Sequence, residues 1–281
     1  MNIIEFRNLY REVLSSKFEI YEIDFMYKKL LNSFYNLEST IIGLKPKMKL
    51  SSRQEIKLNN ALSLIQDDCP LQYIIGYSDF LDFELYVNKN VLIPRPDTEM
   101  IIEQVIKTYS ESSQLQVLDI GTGSGCILLS IIKERPNSYG TGIDVSRKSI
   151  NVSKINAKQL NLTNRVKFIH SSVDNFNIGK YDLVVSNPPY IELLSLKYLE
   201  KDIVSFEPKL ALNGGFDGFS KIRKVITKTS TLIKKKGKFI LEIGFNQKNK
   251  VKEILKEKGF YVNKVIKDYG KNDRCIISTK I

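Results

Sequence analysis

The sequence predicts an α/β fold: a seven-stranded, mostly parallel open sheet, with a small helical region before it and a β-hairpin linking the two. Three observations lead there. From residue 97 onward, short apolar runs alternate with helical segments, the pattern of βα units. One apolar run, Gln114-Leu-Gln-Val-Leu-Asp119-Ile, enters a turn with glycine at 121, 123 and 125. Another, Leu183-Val-Val185, is stopped by Asn187-Pro188-Pro189-Tyr190. Prolines cannot donate to a sheet ladder, so a buried strand ends there.

Taken in order, residues 1–75 carry apolar side chains at helical spacing. Ile3, Ile4, Phe6, Leu9, Tyr10 and Leu14 mark one helix, and Phe25, Met26, Leu30, Leu31 and Phe34 a second. Glu55, Leu58, Ala61, Leu62 and Leu64 mark a third. Residues 76–96 form the linker, with a hairpin over 78–93 whose strands FLDFELYV and VLIP flank the turn Asn88-Lys-Asn90. In 97–281, strands are expected at about 115–119, 139–144, 166–170, 181–186, 238–243, 260–267 and 273–280. The last two flank the short turn Tyr269-Gly-Lys-Asn-Asp273, so they run antiparallel.

A chain of 281 residues has room for one such domain and a small appendage, and its 42% apolar content supports a sizeable core. No apolar run is long enough to span a bilayer, and the first residues carry Glu5 and Arg7 instead of a signal-peptide core. Cys69, Cys126 and Cys275 are odd in number and widely separated, which argues against a disulfide framework and for a reducing, cytoplasmic setting. One histidine, His170 at a strand end, and no cysteine pair at ligand spacing leave no metal site to expect. The net charge of +12 attracts phosphate in principle. The lysines are dispersed, however, and the densest run, Lys234-Lys-Lys-Gly-Lys238, reads as a solvated turn between a helix and a strand.

The two turns carry the chemistry. Gly121, Gly123 and Gly125 remove Cβ atoms and permit positive φ, opening the backbone to a ligand. The spacing is not the dinucleotide fingerprint, and no Lys-Ser/Thr follows to make a phosphate loop. An acid, Asp119, ahead of three alternating glycines fits a nucleoside with a charged, non-phosphate tail. The next strand ends in Asp144, where a doubly wound fold places the acid that accepts ribose hydroxyls. Asp144 also suits the N-cap of the helix that follows. At the second turn, Asn187, the Pro188 carbonyl and the Tyr190 ring suit a planar group bearing an NH2, with an acceptor for each N–H and an aromatic face over the plane.

With these residues the chain resembles class I S-adenosylmethionine-dependent methyltransferases, and more narrowly the protein-(glutamine-N5) methyltransferases that modify peptide chain release factors. The resemblance runs from about residue 70 onward. It rests on Pro70-LQYIIGYSDF80, Val91-LIPRPDTE99, Leu118-DIGTGSG125, Gly142-IDVS146, Val185-SNPPYI191, Glu207-PKLALNGGFDG218, Leu241-EIGFNQ247 and Asp268-YGKNDR274. It implies a Rossmann-like methyltransferase core over 97–281 and a substrate-recognition role for helices 1–75. S-adenosylmethionine would be held by Gly121, Thr122, Gly123, Ser124, Gly125, Asp144 and Asn187. The family's acid after the third strand falls at Ser172 here, or at Asp174 with a small shift, with Val173 as the apolar neighbour. Asn187, Pro188, Pro189 and Tyr190 would form the catalytic turn, and Arg95 and Glu99 either serve the site or pair at a helix start. The expected partners are release factors, with no stable nucleic-acid complex and no membrane.

Two alternatives share these motifs. An adenine-N6 methyltransferase also presents NH2 to such a turn, but needs a recognition module for flipped bases. The first 45 residues offer a weak one, since Glu5, Glu12, Glu19, Glu22, Asp24 and Glu38 offset their basic residues. A non-catalytic binding module on the same core is disfavoured by the intact glycine turn, Asp144 and Asn187 turn.

Overall fold

The computed structural model describes residues 1–281, which divide into two compact units, Met1–Gly76 and Tyr77–Ile281. The first holds helices α1 (Ile3–Leu14), α2 (Ile20–Tyr35), α3 (Ser39–Leu44), α4 (Ser52–Gln66) and α5 (Leu71–Ile75). Asn2 and Glu5 cap α1 reciprocally, and Ser51 and Gln54 do the same for α4. Its core gathers Phe6, Tyr10, Leu14, Tyr27, Leu30, Leu31, Leu58 and Leu62. Tyr10 and Tyr27 pack with ring centroids 5.1 Å apart. Their buried hydroxyls donate to the carbonyls of Leu58 (2.6 Å) and Ile3 (2.9 Å), so neither phenol is left unpaired.

Two residues expected on the buried faces are exposed. In α2 the stripe is Ile23, Tyr27, Leu30 and Leu31, and Phe25 lies two positions off it, on the far side of the helix. In α4 it is Leu58, Ala61, Leu62 and Ile65, with Leu64 outside.

The second unit opens with a hairpin of β1 (Tyr77–Phe80) and β2 (Phe83–Tyr86). Its turn is Leu81-Asp82, not Asn88–Asn90, because Phe80 pairs with Phe83. Leu81 adopts φ 52° there, a conformation a sequence reading reserves for Gly or Asn. The Glu99 carboxylate accepts from its N–H at 2.9 Å. Asn88 instead ends β2 by an Asx turn, its Oδ1 accepting from Asn90 N at 3.0 Å, and Val91–Pro94 are not a strand. The buried Asn156 side chain brackets the Tyr86 backbone, accepting from its N–H (2.7 Å) and donating to its carbonyl (3.0 Å).

Helix α6 (Pro96–Thr108) starts with proline at its first position, where no N–H is needed. The sheet comprises β3 (Gln116–Ile120), β4 (Tyr139–Asp144), β5 (Val166–His170), β6 (Tyr181–Ser186), β7 (Ile233–Glu242), β8 (Phe260–Lys267) and β9 (Asp273–Lys280). Their order is β5-β4-β3-β6-β7-β9-β8, and β9 alone runs against the rest. Along β3 and β6 alternate residues face opposite sides. Val117, Leu183 and Val185 join a core with α6 and α7 (Cys126–Glu134). After α8 (Arg147–Gln159) and the short α9 (Lys201–Phe206) and α10 (Lys209–Leu212) come α11 (Ser220–Leu232) and α12 (Lys248–Glu257), with which Leu118 and Val184 join a second core.

The lysine run expected in a turn before the strand lies inside β7. Tyr181 pairs with Ile233 but Leu183 with Lys238, so the residues between loop out of the ladder. Lys234, Lys235 and Lys236 are exposed, and Lys234 reaches Asp182 at 2.8 Å. A bulge, rather than a turn before the strand, is what solvates them. The chain moves outward from β3 to β4 and β5, then returns to add β6 on the other side. That reversal makes the carboxyl ends of β3 and β6 the switch point at which open α/β sheets bind ligands.

Candidate active site

Both turns picked out from the sequence stand at this switch point. Ser186, the last residue of β6, donates its hydroxyl to the Ile120 carbonyl at 2.7 Å, tying the two strand ends together. The glycine turn then folds back on β4: Gly121 N and Thr122 N both donate to the Ile143 carbonyl, at 2.9 and 3.0 Å. Gly121 and Gly123 have φ of 78° and 55°, and a Cβ at either would project into open space. They give the turn its conformation and leave its ligand side clear. Gly142 on β4 is glycine for another reason, since a Cβ there would meet Thr122 Oγ1 at 2.8 Å.

Asp144 is tied on both oxygens. Oδ2 accepts from Gly123 N at 3.0 Å and Oδ1 from Ser146 N at 2.8 Å. The cap of α8 (Arg147–Gln159) is Ser146, whose hydroxyl accepts from Ser149 N at 3.2 Å, so Asp144 is not the N-cap. Burial raises the Asp144 pKa, and the two backbone N–H groups oppose it. Asp119 turns away into the interior. Its Oδ2 accepts from Thr122 Oγ1 at 2.7 Å while Oδ1 has no partner, and burial pushes its pKa up to about 7.

The turns border one cavity of about 260 Å³. Gly121, Thr122, Gly123 and Ser124 line it, with Asp144, Ser171 to Asp174, and Asn187, Pro188 and Pro189. Arg95, Thr98, Leu210 and Lys224 close other sides. Gly125 and Tyr190 are not on the wall. Gly125 is the N-cap of α7 and packs against Leu129 and Ser153, and the Tyr190 ring packs on the core beneath α11 and α12. Ser172 and Asp174 both reach the cavity, but the Asp174 carboxylate is paired with Lys224. Arg95 pairs with buried Glu207, while Glu99 serves the hairpin turn, so the two do not pair with each other. His170 ends β5 with Nε2 2.9 Å from the Val145 carbonyl.

A methyltransferase domain family matches residues 111–276. A release factor glutamine methyltransferase of Caulobacter vibrioides is 37% identical over 242 residues, covering 86% of this chain and 84% of that protein. One from Flavobacterium psychrophilum is 33% identical over 288 residues and covers 98% of each. The chain belongs to the release factor glutamine methyltransferase family. A methyltransferase structure from Pyrococcus furiosus shares the fold, with TM-score 0.54 and 19% identity over 79% of this chain and 98% of that one.

Several residues that shape the candidate site were not singled out in the sequence. Thr98 on α6 accepts from Asn187 Nδ2 at 3.2 Å and donates to Glu242 Oε2 at 2.8 Å. Glu242, the last residue of β7, also receives the Tyr190 hydroxyl at 3.3 Å, and burial lifts its pKa to about 7. Arg274 on β9 lies 3.5 Å from that hydroxyl and pairs with Asp268 at 2.9 Å. Gln247 donates to the Tyr190 and Gly218 carbonyls, at 3.0 and 3.2 Å, while accepting from Gly244 N. A Cβ on Gly218 would meet Tyr190 O at 2.7 Å, and one on Gly214 would meet Tyr190 C at the same distance. The Asn-Gly-Gly-Phe-Asp-Gly segment is therefore glycine-rich because it lies flat on the Asn187–Tyr190 turn. The available signal was Glu242 itself, a carboxylate closing a buried strand at the same sheet edge as Asp144.

No group of three or more His, Cys, Asp or Glu could hold a metal ion, and no helix is long and apolar enough to cross a membrane.

Proposed function

We propose that the protein methylates the side-chain amide nitrogen of the glutamine in the Gly-Gly-Gln motif of peptide chain release factors, using S-adenosylmethionine, in the cytoplasm. The observation that carries this reading is the placing of Asn187-Pro-Pro and Gly121–Ser124 on one cavity at the switch point of the sheet. The wall fits the cofactor's parts: open glycine backbone, and a carboxylate in Asp144 whose oxygens each keep a lone pair for a ribose hydroxyl. Ser172 and Val173 line the side where an adenine would lie. When bound, S-adenosylmethionine supplies a methyl group already activated by its sulfonium.

The protein's own work is alignment and charge. A glutamine nitrogen is a poor nucleophile because its lone pair is delocalised into the carbonyl. Asn187 Oδ1 and the Pro188 carbonyl accept its two N–H groups and turn the lone pair toward the donor side of the cavity. As the nitrogen becomes positive these acceptors bind it more tightly, worth roughly 10²–10³ in rate per preorganised group. Tyr190, anchored through its hydroxyl, stiffens the turn from below. No protein nucleophile is required, and Cys126, on the cavity wall, is held protonated by burial with a pKa pushed up to about 12.

Incubation with labelled S-adenosylmethionine tests the reading. Release factor should take up label, its Gln-to-Ala variant at Gly-Gly-Gln should not, and bulk nucleic acid should not. Label in nucleic acid instead would favour an adenine substrate. Helices 1–75 are proposed to recognise the release factor. A chain of residues 77–281 should then bind cofactor within a few-fold of the full protein yet fail to methylate release factor, and full activity in that fragment would refute the assignment.

A further inference from the structure

Asn187 ends a hydrogen-bond chain whose direction is set at its far end. Glu242 is buried and, as a carboxylate, only accepts. The Thr98 hydroxyl donates a hydrogen bond to it at 2.8 Å. With that proton committed, Thr98 Oγ1 presents lone pairs alone, and Asn187 Nδ2 donates to it at 3.2 Å. The second Glu242 oxygen is taken by Tyr190 OH at 3.3 Å, so both oxygens receive a donor. The charge is faced by Arg274 from β9, with Asp97 of α6 opposing it, and Cys275 lies beside it in the ladder. Reversing the Asn187 amide would aim its oxygen at Thr98. Thr98 would then have to withdraw its proton from Glu242, stripping a donor from a buried carboxylate. That disfavours the reversed amide by roughly 10- to 100-fold.

We infer that Thr98 and Glu242 are positioning residues: their chain holds the Asn187 NH2 and thereby turns its oxygen toward the substrate. The inference rests on the acceptor role given to Asn187 above. It explains why an amide, able to donate and accept in opposite directions, occupies a place where an acceptor alone is used.

The test uses the full chain at pH 8, above the Glu242 value of about 7. Thr98→Val removes the hydroxyl and keeps the shape. It should lower kcat about 10- to 100-fold, leave KM for release factor and cofactor affinity within about three-fold, and shift the Asn187 side-chain NH2 resonances in the cofactor-free protein. Thr98→Ser should restore most of the rate and the resonances. Wild-type kcat in Thr98→Val, or an equal loss in Thr98→Ser, would overturn the inference. Adding Glu242→Gln to Thr98→Val should cost no more than the worse single change, as for members of one chain, whereas full additivity would sever Glu242 from it. If Asn187→Ala is inactive while Thr98→Val is not, the inference fails and the proposed function stands. If wild-type protein leaves release factor unmethylated, the proposed function fails, and the resonances still decide the chain.

Discussion

The glycine turn after β3 is held by its own backbone and by the next strand; the Asn187 turn after β6 is held by side chains from far along the chain. Gly121 and Thr122 bond to Ile143, and Gly123 to Asp144, 21 residues away. The Asn187 turn relies on Thr98, 89 residues from Asn187, and on Glu242, Gln247 and Arg274, which are 52, 57 and 84 residues from Tyr190. On the proposed reading the first turn lets a ligand approach its main chain, and every second residue in it is a glycine, with Gly121 and Gly123 leaving that side clear. On the same reading the second holds one amide in one orientation, with prolines to stiffen it and distant polar groups to aim it. Local construction suits binding, and non-local construction suits orientation.

The largest effect expected is on the aimed turn. Asn187→Ala should lower kcat by roughly 10²–10³ with KM for release factor within a few-fold, measured by steady-state methylation. Asn187→Asp keeps an acceptor and should retain partial activity. Near-wild-type rates in both would reduce Asn187 to a strand terminator and erase the contrast between the turns.

Next comes the buried acid under the glycine turn. Asp119 holds its proton to about pH 7 when folded, against an ordinary value of 3.8. Between those values the folded state binds more protons than the unfolded, so stability falls as pH rises and the loss is complete above about 7. Asp119→Asn lacks this dependence. Relative to wild type, its stability should improve by on the order of 3 kcal/mol from pH 4 to pH 8, read from denaturant unfolding. A constant difference across that range would mean that Asp119 titrates as an exposed acid does.

Asp144→Ala should weaken cofactor binding about 10- to 100-fold by calorimetry while leaving kcat at saturating cofactor nearly unchanged. A kcat loss with intact affinity would assign Asp144 to the other turn's work. The smallest effect is expected at Gln247, which ties Tyr190 to Gly218. Gln247→Ala should cost about 10-fold in kcat with cofactor affinity within two-fold. Loss of affinity there would show that the two turns are coupled.

What the sequence disclosed follows the same division. Glycine spacing, a carboxylate at a strand end and a strand halted by two prolines are local signals, and they led to Gly121–Ser124, Asp144 and Asn187. All seven strands were legible too, because β3, β6 and the second half of β7 are buried apolar runs, β4 and β5 are short runs between helical segments, and the last pair is joined by a short turn. The insertion of β9 between β7 and β8 was not, since strand neighbours are chosen by packing rather than by local pattern. Thr98 sits inside the Leu92-IPRPDTE99 segment, yet its role depends on Glu242, 144 residues away. The hairpin turn was misplaced because Leu81 adopts its left-handed backbone with help from Glu99, while Asn88–Asn90 carry turn chemistry without a second strand. The Tyr190 hydroxyl is held by Glu242 and Arg274, which no neighbour in sequence announces.

The position of β9 has a consequence for synthesis. It is made after β7 and β8, but it lies between them, so β7 can join β6 while β8 cannot take its place in the sheet until β9 emerges. Until then β7 presents an apolar edge with unpaired N–H and C=O groups, a template for pairing with other chains. The pairing that covers it is long-range and correspondingly slow. Arg274, which faces Tyr190 and Glu242, arrives on that same strand. A nascent chain stalled short of it would carry both turns and the cavity's walls, yet would be aggregation-prone and without the charge that balances its buried glutamate.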